Sequence, residues 1–219
     1  MRIVFMGSPE FAVDSLKALV EASQHEVVAV ITQPDRPKGR GQKVLMTAVK
    51  EYALTKKLPI LQPAKIRTQE FVEELKALKP ELIVVVAFGQ FPPKDILQMP
   101  KYGCINVHAS LLPKYRGAAP IHYAIMNGEK ESGVTIMMMD EGMDTGAMLA
   151  KSVTAISDDM TMGVLHDQLK IAGAKLLLDV VEGLEKGTIK PVPQNNEEAT
   201  YASLLDKEIE KIEWNNTAR

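Results

Sequence analysis

The chain is organised around one stretch, Gly103-Cys-Ile-Asn-Val-His-Ala-Ser-Leu-Leu-Pro-Lys-Tyr-Arg-Gly-Ala-Ala-Pro120. Its first part, residues 104–108, alternates in character and predicts a short strand. Residues two apart on a strand point to the same face, so Asn106 and His108 are predicted to project side by side. Ser110 follows at the next step, where the strand opens into a loop.

An amide beside an imidazole at the end of a strand suits acyl-transfer chemistry. The N–H of Asn106 can stabilise a developing oxyanion, and His108 can move a proton. The loop that follows, residues 111–117, is too apolar for an ordinary solvated turn, which indicates the wall of a ligand site. The alternative is a structural role for both side chains. Spacing alone favours that alternative, because a single histidine near a strand end is usually structural and Asn-x-His is frequent by chance.

The length, net charge and cysteine content of the chain exclude several classes of protein. The chain has 219 residues, enough for one sizeable domain and a short appendage. A net charge of −2 gives no overall attraction to nucleic acid, so any RNA contact must come from a local basic patch. The single cysteine excludes an internal disulfide framework, and the four histidines lack metal-ligand spacing, so no metal site is expected. The sequence predicts no secretion signal or membrane span, and a cytoplasmic location is expected.

Strands alternate with helices along most of the chain. This alternation predicts an α/β fold with a doubly wound, mostly parallel sheet and helices on both faces. The run 82–87 is nearly all aliphatic, as expected of a central parallel strand that is buried on both faces. Phe88, Gly89 and Gln90 follow at its carboxyl end, where open α/β sheets bind ligands. Phe88 could equally belong to the core, and Gly89 could be a simple turn.

The starts of three helices are predicted from capping residues. Ser8 is predicted to cap a first helix that runs to about residue 22, and Thr68 to cap another. Either Asp158 or Asp159 is predicted to cap the last helix. The core-facing stripe of that helix is predicted at Leu165, Leu169, Ala172, Leu176, Val180 and Leu184. The turn after the first strand lacks Gly-x-Gly-x-x-Gly, so a nicotinamide cofactor is disfavoured.

A breaker-rich segment spans residues 33–43, Gln-Pro-Asp-Arg-Pro-Lys-Gly-Arg-Gly-Gln-Lys. It carries four basic residues and one acidic residue, and prolines and glycines are expected to hold it away from regular structure. One interpretation is a mobile, solvated connection, which such a composition usually is. The other is an arm that contacts phosphates. The residues alone leave both interpretations open.

The longer string from Ile105 to Ile121 resembles the core of the folate-dependent formyltransferases, and most of all the members that formylate methionyl-tRNA. The opening Gly7-Ser-Pro-Glu-Phe11 has the form found in the same family. The resemblance covers essentially all residues up to 214. It implies a Rossmann-like formyltransferase fold. It also implies formyl transfer from 10-formyltetrahydrofolate to the α-amino group of methionine on initiator tRNA, for translation initiation.

The same resemblance implies roles for particular residues. Asn106, His108 and Asp144 match the catalytic group of the family, in which the aspartate approaches the histidine. Without the resemblance, the acidic loop at 140–146 would be interpreted as an ordinary capped turn. The folate-binding positions match Ser110, Leu111, Leu112 and Pro113, with Phe88, Gly89, Gln90 and Asp140 as neighbours. The segment 33–43 is similar to the tRNA-contacting loop of the members that formylate methionyl-tRNA, and relatives acting on glycinamide ribonucleotide or amino sugars generally lack it. The similarity favours the arm that contacts phosphates, through Arg36, Lys38, Arg40 and Lys43, and Arg40 matches the arginine with a role in tRNA recognition.

The resemblance further implies that residues 1–190 form the catalytic domain. Residues 191–219 are expected to be a linker towards a barrel-like C-terminal domain that is absent from this chain. A monomer is expected. Two alternatives stay open: a formyltransferase acting on glycinamide ribonucleotide or an amino sugar, and a folate- or RNA-binding module without catalysis. The basic loop argues against the first, and the intact Asn106, His108 and Asp144 argue against the second.

Overall fold

The computed structural model describes residues 1–22, 24–38, 43–206 and 209, with only the backbone of Lys38 and Lys43. The strands are β1 Arg2–Gly7, β2 Glu26–Ile31, β3 Arg36–Lys38, β4 Lys43–Leu45, β5 Ile60–Leu61, β6 Leu82–Val86, β7 Cys104–His108, β8 Arg116–Gly117, β9 Glu131–Met138, β10 Met148–Ala155 and β11 Tyr201–Ala202. The α-helices are α1 Val13–Glu21, α2 Ala48–Thr55, α3 Gln69–Ala77, α4 Lys94–Leu97, α5 Pro120–Met126 and α6 Met162–Lys186, and short 3₁₀ helices lie at Glu10–Ala12 and Asn196–Glu198.

Seven strands form the central sheet, in the order β10-β9-β7-β6-β1-β2-β5. The four pairings between β7 and β5 are parallel, and β9 and β10 extend the sheet with antiparallel pairings. The predicted doubly wound, mostly parallel sheet is therefore confirmed. The strand order reverses between β1 and β6, and in open α/β sheets such a switch point opens a crevice at the carboxyl ends of the strands.

Alternate residues of the central strands face two separate cores. In β1, Ile3 and Phe5 pack into the core that also contains α1 and α6, whereas Val4 and Met6 pack into the core under α3. The aliphatic run of β6 divides in the same way between the two cores. Burial on both faces explains why β6 has no polar residue, as its composition predicted.

The predicted cap at Thr68 is confirmed, but the other two capping predictions are wrong. Thr68 accepts a hydrogen bond from the backbone N–H of Phe71 at the start of α3. The Ser8 hydroxyl instead accepts from the Thr32 hydroxyl and from the N–H of Gln33, because a 3₁₀ turn intervenes before α1. Thr161 caps α6, in place of the predicted Asp158 or Asp159. Asp158 pairs with Lys130, and Asp159 accepts from Ser157.

The buried side of α6 differs from the predicted stripe. Leu165, Leu169 and Val180 are buried as predicted, but Ala172, Leu176 and Leu184 are only partly buried. Their places are taken by Gly173, Ala174, Leu177 and Val181. A Cβ added at Gly173 would lie 3.1 Å from Val107 and 3.4 Å from Val134, so this glycine lets α6 approach β7 and β9 closely. Glycine has no side chain to contribute to a hydrophobic stripe, so the periodicity of the sequence did not predict that Gly173 is buried.

The basic segment forms a short antiparallel pair where the sequence predicted no regular structure. Arg36 pairs with Leu45, and Lys38 pairs with Lys43. Asp35, just before β3, accepts from Lys50 at 2.5 Å and from Gln62 at 2.8 Å. The hydrogen bond from Lys50 is the main cause that lowers the pKa of Asp35. Arg40 lies outside the described residues.

The chain after α6 returns to the sheet. Val192 bridges to Met148 of β10, and β11 pairs in parallel with β8 through Tyr201–Arg116 and Ala202–Gly117. The domain boundary at residue 190 stays a prediction. Trp214, where the family resemblance ends, lies outside the described residues. Within the described ranges, no helix is both long enough and apolar enough to cross a membrane.

Candidate active site

The predicted catalytic residues Asn106 and His108 share one face of β7. Ile105 and Val107 point into the core beneath α6, so the side chains of Asn106 and His108 point to the opposite face. His108 is buried at 6% exposure, and Asn106 is partly exposed. Asn106 lies opposite Met137 of β9, and His108 lies opposite Thr135. The period-two interpretation of this strand is confirmed.

Both ring nitrogens of His108 face oxygen acceptors. Nε2 lies 2.9 Å from the backbone oxygen of Tyr115, and Nδ1 lies 3.6 Å from Oδ2 of Asp144. A carbonyl oxygen can only accept, so Nε2 carries a proton and donates it. A neutral ring would then face the carboxylate with a lone pair, whereas a protonated ring can direct an N–H to each oxygen. The two oxygen atoms therefore match the two N–H groups of a protonated ring.

Asp144 is held in an unusual backbone conformation. Its φ angle is 54°, in the left-handed region, which is uncommon for a residue other than glycine. The residue belongs to the β9–β10 connection, residues 139–147, which folds back over the face of β7. Oδ2 accepts a hydrogen bond from the N–H of Gly117 at 2.7 Å. The side chain is 14% exposed, so the carboxylate and His108 form a largely buried pair.

The segment from Ser110 to Pro113 is built into the fold by its own hydrogen bonds. The Ser110 hydroxyl donates to the backbone oxygen of Lys114, at 2.6 Å. The Thr135 hydroxyl donates to the backbone oxygen of Ser110 and accepts from the N–H of Leu112. Leu112 is fully buried and Leu111 is partly buried. Ligand contacts by this segment would therefore come from Leu111 or the backbone, because the Leu112 side chain is not accessible.

The residues after β6 divide between core and surface. Phe88 is buried in the core under α3, and its backbone oxygen accepts from the Gln33 side chain at 3.1 Å. Gly89 has a φ of 83°, a conformation that favours glycine. Gln90 accepts from the N–H of Ile66 at 3.1 Å. Of the three, Gly89 and Gln90 line a cavity, and Phe88 belongs to the core.

That cavity has a volume of about 760 Å³ and lies at the carboxyl ends of β1, β2 and β6. Its lining includes Ser8, Gln33, Arg36, Met46, Gly89 and Gln90. Its size falls within the range of small-molecule sites, roughly 300–1,000 Å³. Sequence reasoning missed Ser8, Gln33 and Met46 as lining residues. The signal that could have found the first two is their position directly after β1 and β2, at the switch point of the sheet.

Two more of the predicted site residues, Asp140 and Arg36, have hydrogen-bond partners other than the His108–Asp144 pair. Asp140 accepts from the Thr145 hydroxyl at 2.6 Å and from the N–H of Gly142 at 3.0 Å, so it caps the turn that carries Asp144. Arg36 is exposed and lies 3.4 Å from the side-chain oxygen of Gln33. No cluster of three or more histidine, cysteine, aspartate or glutamate side chains that could hold a metal ion occurs among the residues the structure describes.

Comparisons with known proteins identify the family of the chain. A family model described as formyl transferase matches residues 1–181. Methionyl-tRNA formyltransferase of Acetivibrio thermocellus is 53% identical over all of this chain and 70% of its own length, and that of Desulforamulus reducens is 55% identical over all of this chain and 69% of its own length. The N-formyltransferase from Helicobacter canadensis, solved with folinic acid and dTDP-3-aminofucose, superposes with a TM-score of 0.69 at 25% identity, over 93% of this chain and 71% of that one.

The chain therefore belongs to the formyl transferase family. The relatives that match its whole length at 53 to 55% identity are methionyl-tRNA formyltransferases, and the chain falls among them. The much lower identity to the solved sugar N-formyltransferase does not favour a sugar acceptor.

Proposed function

We propose that this chain transfers a formyl group from 10-formyltetrahydrofolate to the α-amino group of methionine on initiator tRNA. The observation that carries the proposal is the His108–Asp144 pair, in which Nδ1 and Oδ2 lie 3.6 Å apart over a strand that also presents Asn106. Acyl transfer to an amine needs a group that stabilises the oxyanion and groups that manage protons, and this pair with Asn106 offers both.

In the proposed reaction, the methionine amine attacks the formyl carbon, and the carbonyl electron pair moves to the oxygen. The Asn106 amide donates a hydrogen bond to that oxygen. The protonated His108 ring stabilises it through its positive charge, because its two N–H groups are directed at Tyr115 and Asp144. Asp144 stabilises the charge on the ring and, through a water molecule, passes the amine proton towards the leaving nitrogen of the folate. The new carbon–nitrogen bond remains when the bond to the folate nitrogen breaks. Tyr115 and Gly117 orient the ring and the carboxylate through their backbone groups.

The folate is proposed to lie against the segment from Ser110 to Pro113 and against Asp140, with the partly buried Leu111 as the apolar contact. Phe88, Gly89 and Gln90 complete this side through their backbone and the neighbouring cavity. The cavity volume of about 760 Å³ is adequate for part of a folate or of an acceptor end. We assign no metal to the reaction.

The acceptor tRNA is proposed to contact Arg36, Lys38, Arg40 and Lys43. The β3–β4 pair supports this assignment, because it holds the first and last of these residues on adjacent short strands beside the cavity. Arg36 is exposed and lines the cavity, so a bound phosphate could meet it there. A monomeric enzyme in the cytoplasm completes the proposal.

The test is a product analysis with three amines. Purified protein is incubated with 10-formyltetrahydrofolate and, in separate reactions, methionyl-initiator tRNA, glycinamide ribonucleotide or an amino sugar nucleotide. The formylated product is identified by mass spectrometry. Product with methionyl-tRNA alone supports the proposal. Product with another amine would assign the chain to a different acceptor, and no product with any amine would leave a binding module.

A further inference from the structure

The side chain of Gln194 joins the Asp144 loop to a buried arginine. Its Nε2 donates to the backbone oxygens of Asp144 and Gly146, both at 2.8 Å. Its Oε1 accepts from Nε and Nη2 of Arg116, at 3.0 and 2.8 Å. Nε2 also lies 4.0 Å from the sulfur of Met137, the residue opposite Asn106 in the sheet. Gln194 thus lies over the same face of the sheet as the proposed catalytic residues.

Arg116 fixes which way the Gln194 amide points. It is 2% exposed and its guanidinium can only donate hydrogen bonds, so the oxygen of Gln194 must face it. The amide nitrogen is then directed at the two loop carbonyls. Nη2 of Arg116 also donates to Asn196 at 2.8 Å. A buried charge needs such hydrogen bonds, so Arg116 holds the Gln194 amide in this one orientation.

Gln194 contacts the β9–β10 connection, which contains the unusual backbone conformation of Asp144. Asp144 adopts a φ of 54°, a conformation that costs free energy unless its surroundings impose it. The Gln194 amide fixes the backbone of this residue, and the N–H of Gly117 fixes its carboxylate. Gly117 itself lies in β8, which pairs with β11. Both restraints on Asp144 therefore depend on the chain that returns after α6.

We propose that Gln194 is a positioning residue for the catalytic pair, holding Asp144 at the distance from His108 that formyl transfer requires. The inference rests on the proposed function of that pair. It extends the catalytic unit beyond residue 181, where the match to the family model ends. Gln194 does not touch the reacting atoms; it acts through the backbone of Asp144.

The test compares Gln194→Glu with Asn196→Ala. The glutamate keeps acceptors for Arg116 but cannot donate to the two loop carbonyls and places a negative charge against them. The Asn196 variant removes a partner of Arg116 and leaves the Asp144 loop untouched. We expect Gln194→Glu to lower kcat at least tenfold with the KM for 10-formyltetrahydrofolate within twofold, since small displacements of catalytic groups can cost on the order of a hundredfold. Asn196→Ala should stay within about twofold in both, by the same reasoning.

A second measurement does not depend on activity. The ¹⁵N resonances of the His108 ring, assigned with a His108→Gln variant, report the contact with Asp144 in the free protein. They should shift in Gln194→Glu and stay in place in Asn196→Ala. If Gln194→Glu does not fold, as judged by circular dichroism, Gln194→Asn takes its place, because it keeps the amide but falls one methylene short of the loop.

Three results would overturn the inference: wild-type kcat and His108 resonances in the Gln194 variant, a change in KM alone, or an equal loss of kcat in Asn196→Ala. If the proposed function is wrong, the experiments give a different set of results. In that case the wild-type protein would not formylate methionyl-tRNA, while the His108 resonances would still show whether Gln194 positions Asp144.

Discussion

Replacing Asp144 with asparagine tests the charge of the proposed pair separately from its geometry. Asparagine has the same shape, and its oxygen can still accept the hydrogen bond from Gly117 that the carboxylate accepts at 2.7 Å. The change therefore removes the negative charge beside Nδ1 of His108 and leaves the loop in place. We expect kcat for formyl transfer to fall while folate affinity stays within about twofold, because the charge acts on the transition state.

The structure sets the size of that effect. At a separation of 3.6 Å, attraction between the carboxylate and a charged ring amounts to about 1 kcal/mol at a dielectric constant of ~80 and about 5 kcal/mol at ~20. His108 and Asp144 are only 6% and 14% exposed, which favours the upper part of this range. A loss of about 3 to 4 kcal/mol corresponds to a decrease in kcat of roughly a hundred- to a thousandfold.

The assay is steady-state formylation of methionyl-tRNA, with folate affinity measured independently by fluorescence titration. Glu141→Gln is the matched control, since it removes a carboxylate from the same loop. Glu141 is exposed and pairs loosely with Lys94 at 3.8 Å, so its loss should change kcat by less than about twofold. A kcat for Asp144→Asn within threefold of wild type, or an equal loss in the control, would refute the electrostatic role of Asp144.

Three further results are expected. Asn106→Ala should lower kcat about a hundred- to a thousandfold through the loss of one oxyanion donor, and turnover within a few-fold of wild type would remove Asn106 from the mechanism. Arg40→Ala should weaken methionyl-tRNA binding and reduce the slope of log affinity against log salt concentration by about one unit. The control Arg67→Ala removes an exposed arginine and should change neither the affinity nor the slope. Identical tRNA binding by both variants would contradict a phosphate contact by Arg40. Burial raises the pKa of Cys104 to about 12, so its thiol should resist an aromatic disulfide reagent at pH 8 until denaturant is added, and stoichiometric labelling of the native protein would argue against this burial.

The sheet could be predicted because its signals are local. The aliphatic run of β6 and the alternation of β7 each lie within a few residues. The first predicted a strand buried on both faces, and the second predicted a strand with Asn106 and His108 on one face. Side-chain choices that depend on distant partners were harder to predict. Serine is a common helix-capping residue, yet the Ser8 hydroxyl accepts a hydrogen bond from the N–H of Gln33, which follows the neighbouring strand β2. Leu112 was predicted to belong to the apolar wall of a ligand site, but its side chain is fully buried.

In the candidate site, too, local features could be predicted from the sequence and contacts between distant residues could not. The shared face of Asn106 and His108 follows from the period of a strand, so the sequence alone predicts it. The approach of Asp144 came from the family resemblance, since no periodicity connects residue 108 with residue 144. Gln194 was missed altogether, because it lies in a polar run that is typical of a loop. Its hydrogen bonds to Asp144 and Arg116 span 50 and 78 positions, and local patterns carry no trace of contacts at that separation.

Gln194 lies late in the chain, so during synthesis it becomes available only after the strands of the sheet. All seven strands of the sheet precede residue 156, whereas the amide that holds the Asp144 loop follows the 25 residues of α6. At a synthesis rate of roughly 5–20 residues per second, the ribosome needs about 2 to 8 seconds to add the roughly forty residues between the end of β10 and Gln194. During that interval the nascent chain contains every strand of the sheet but lacks the amide that holds Asp144 against His108.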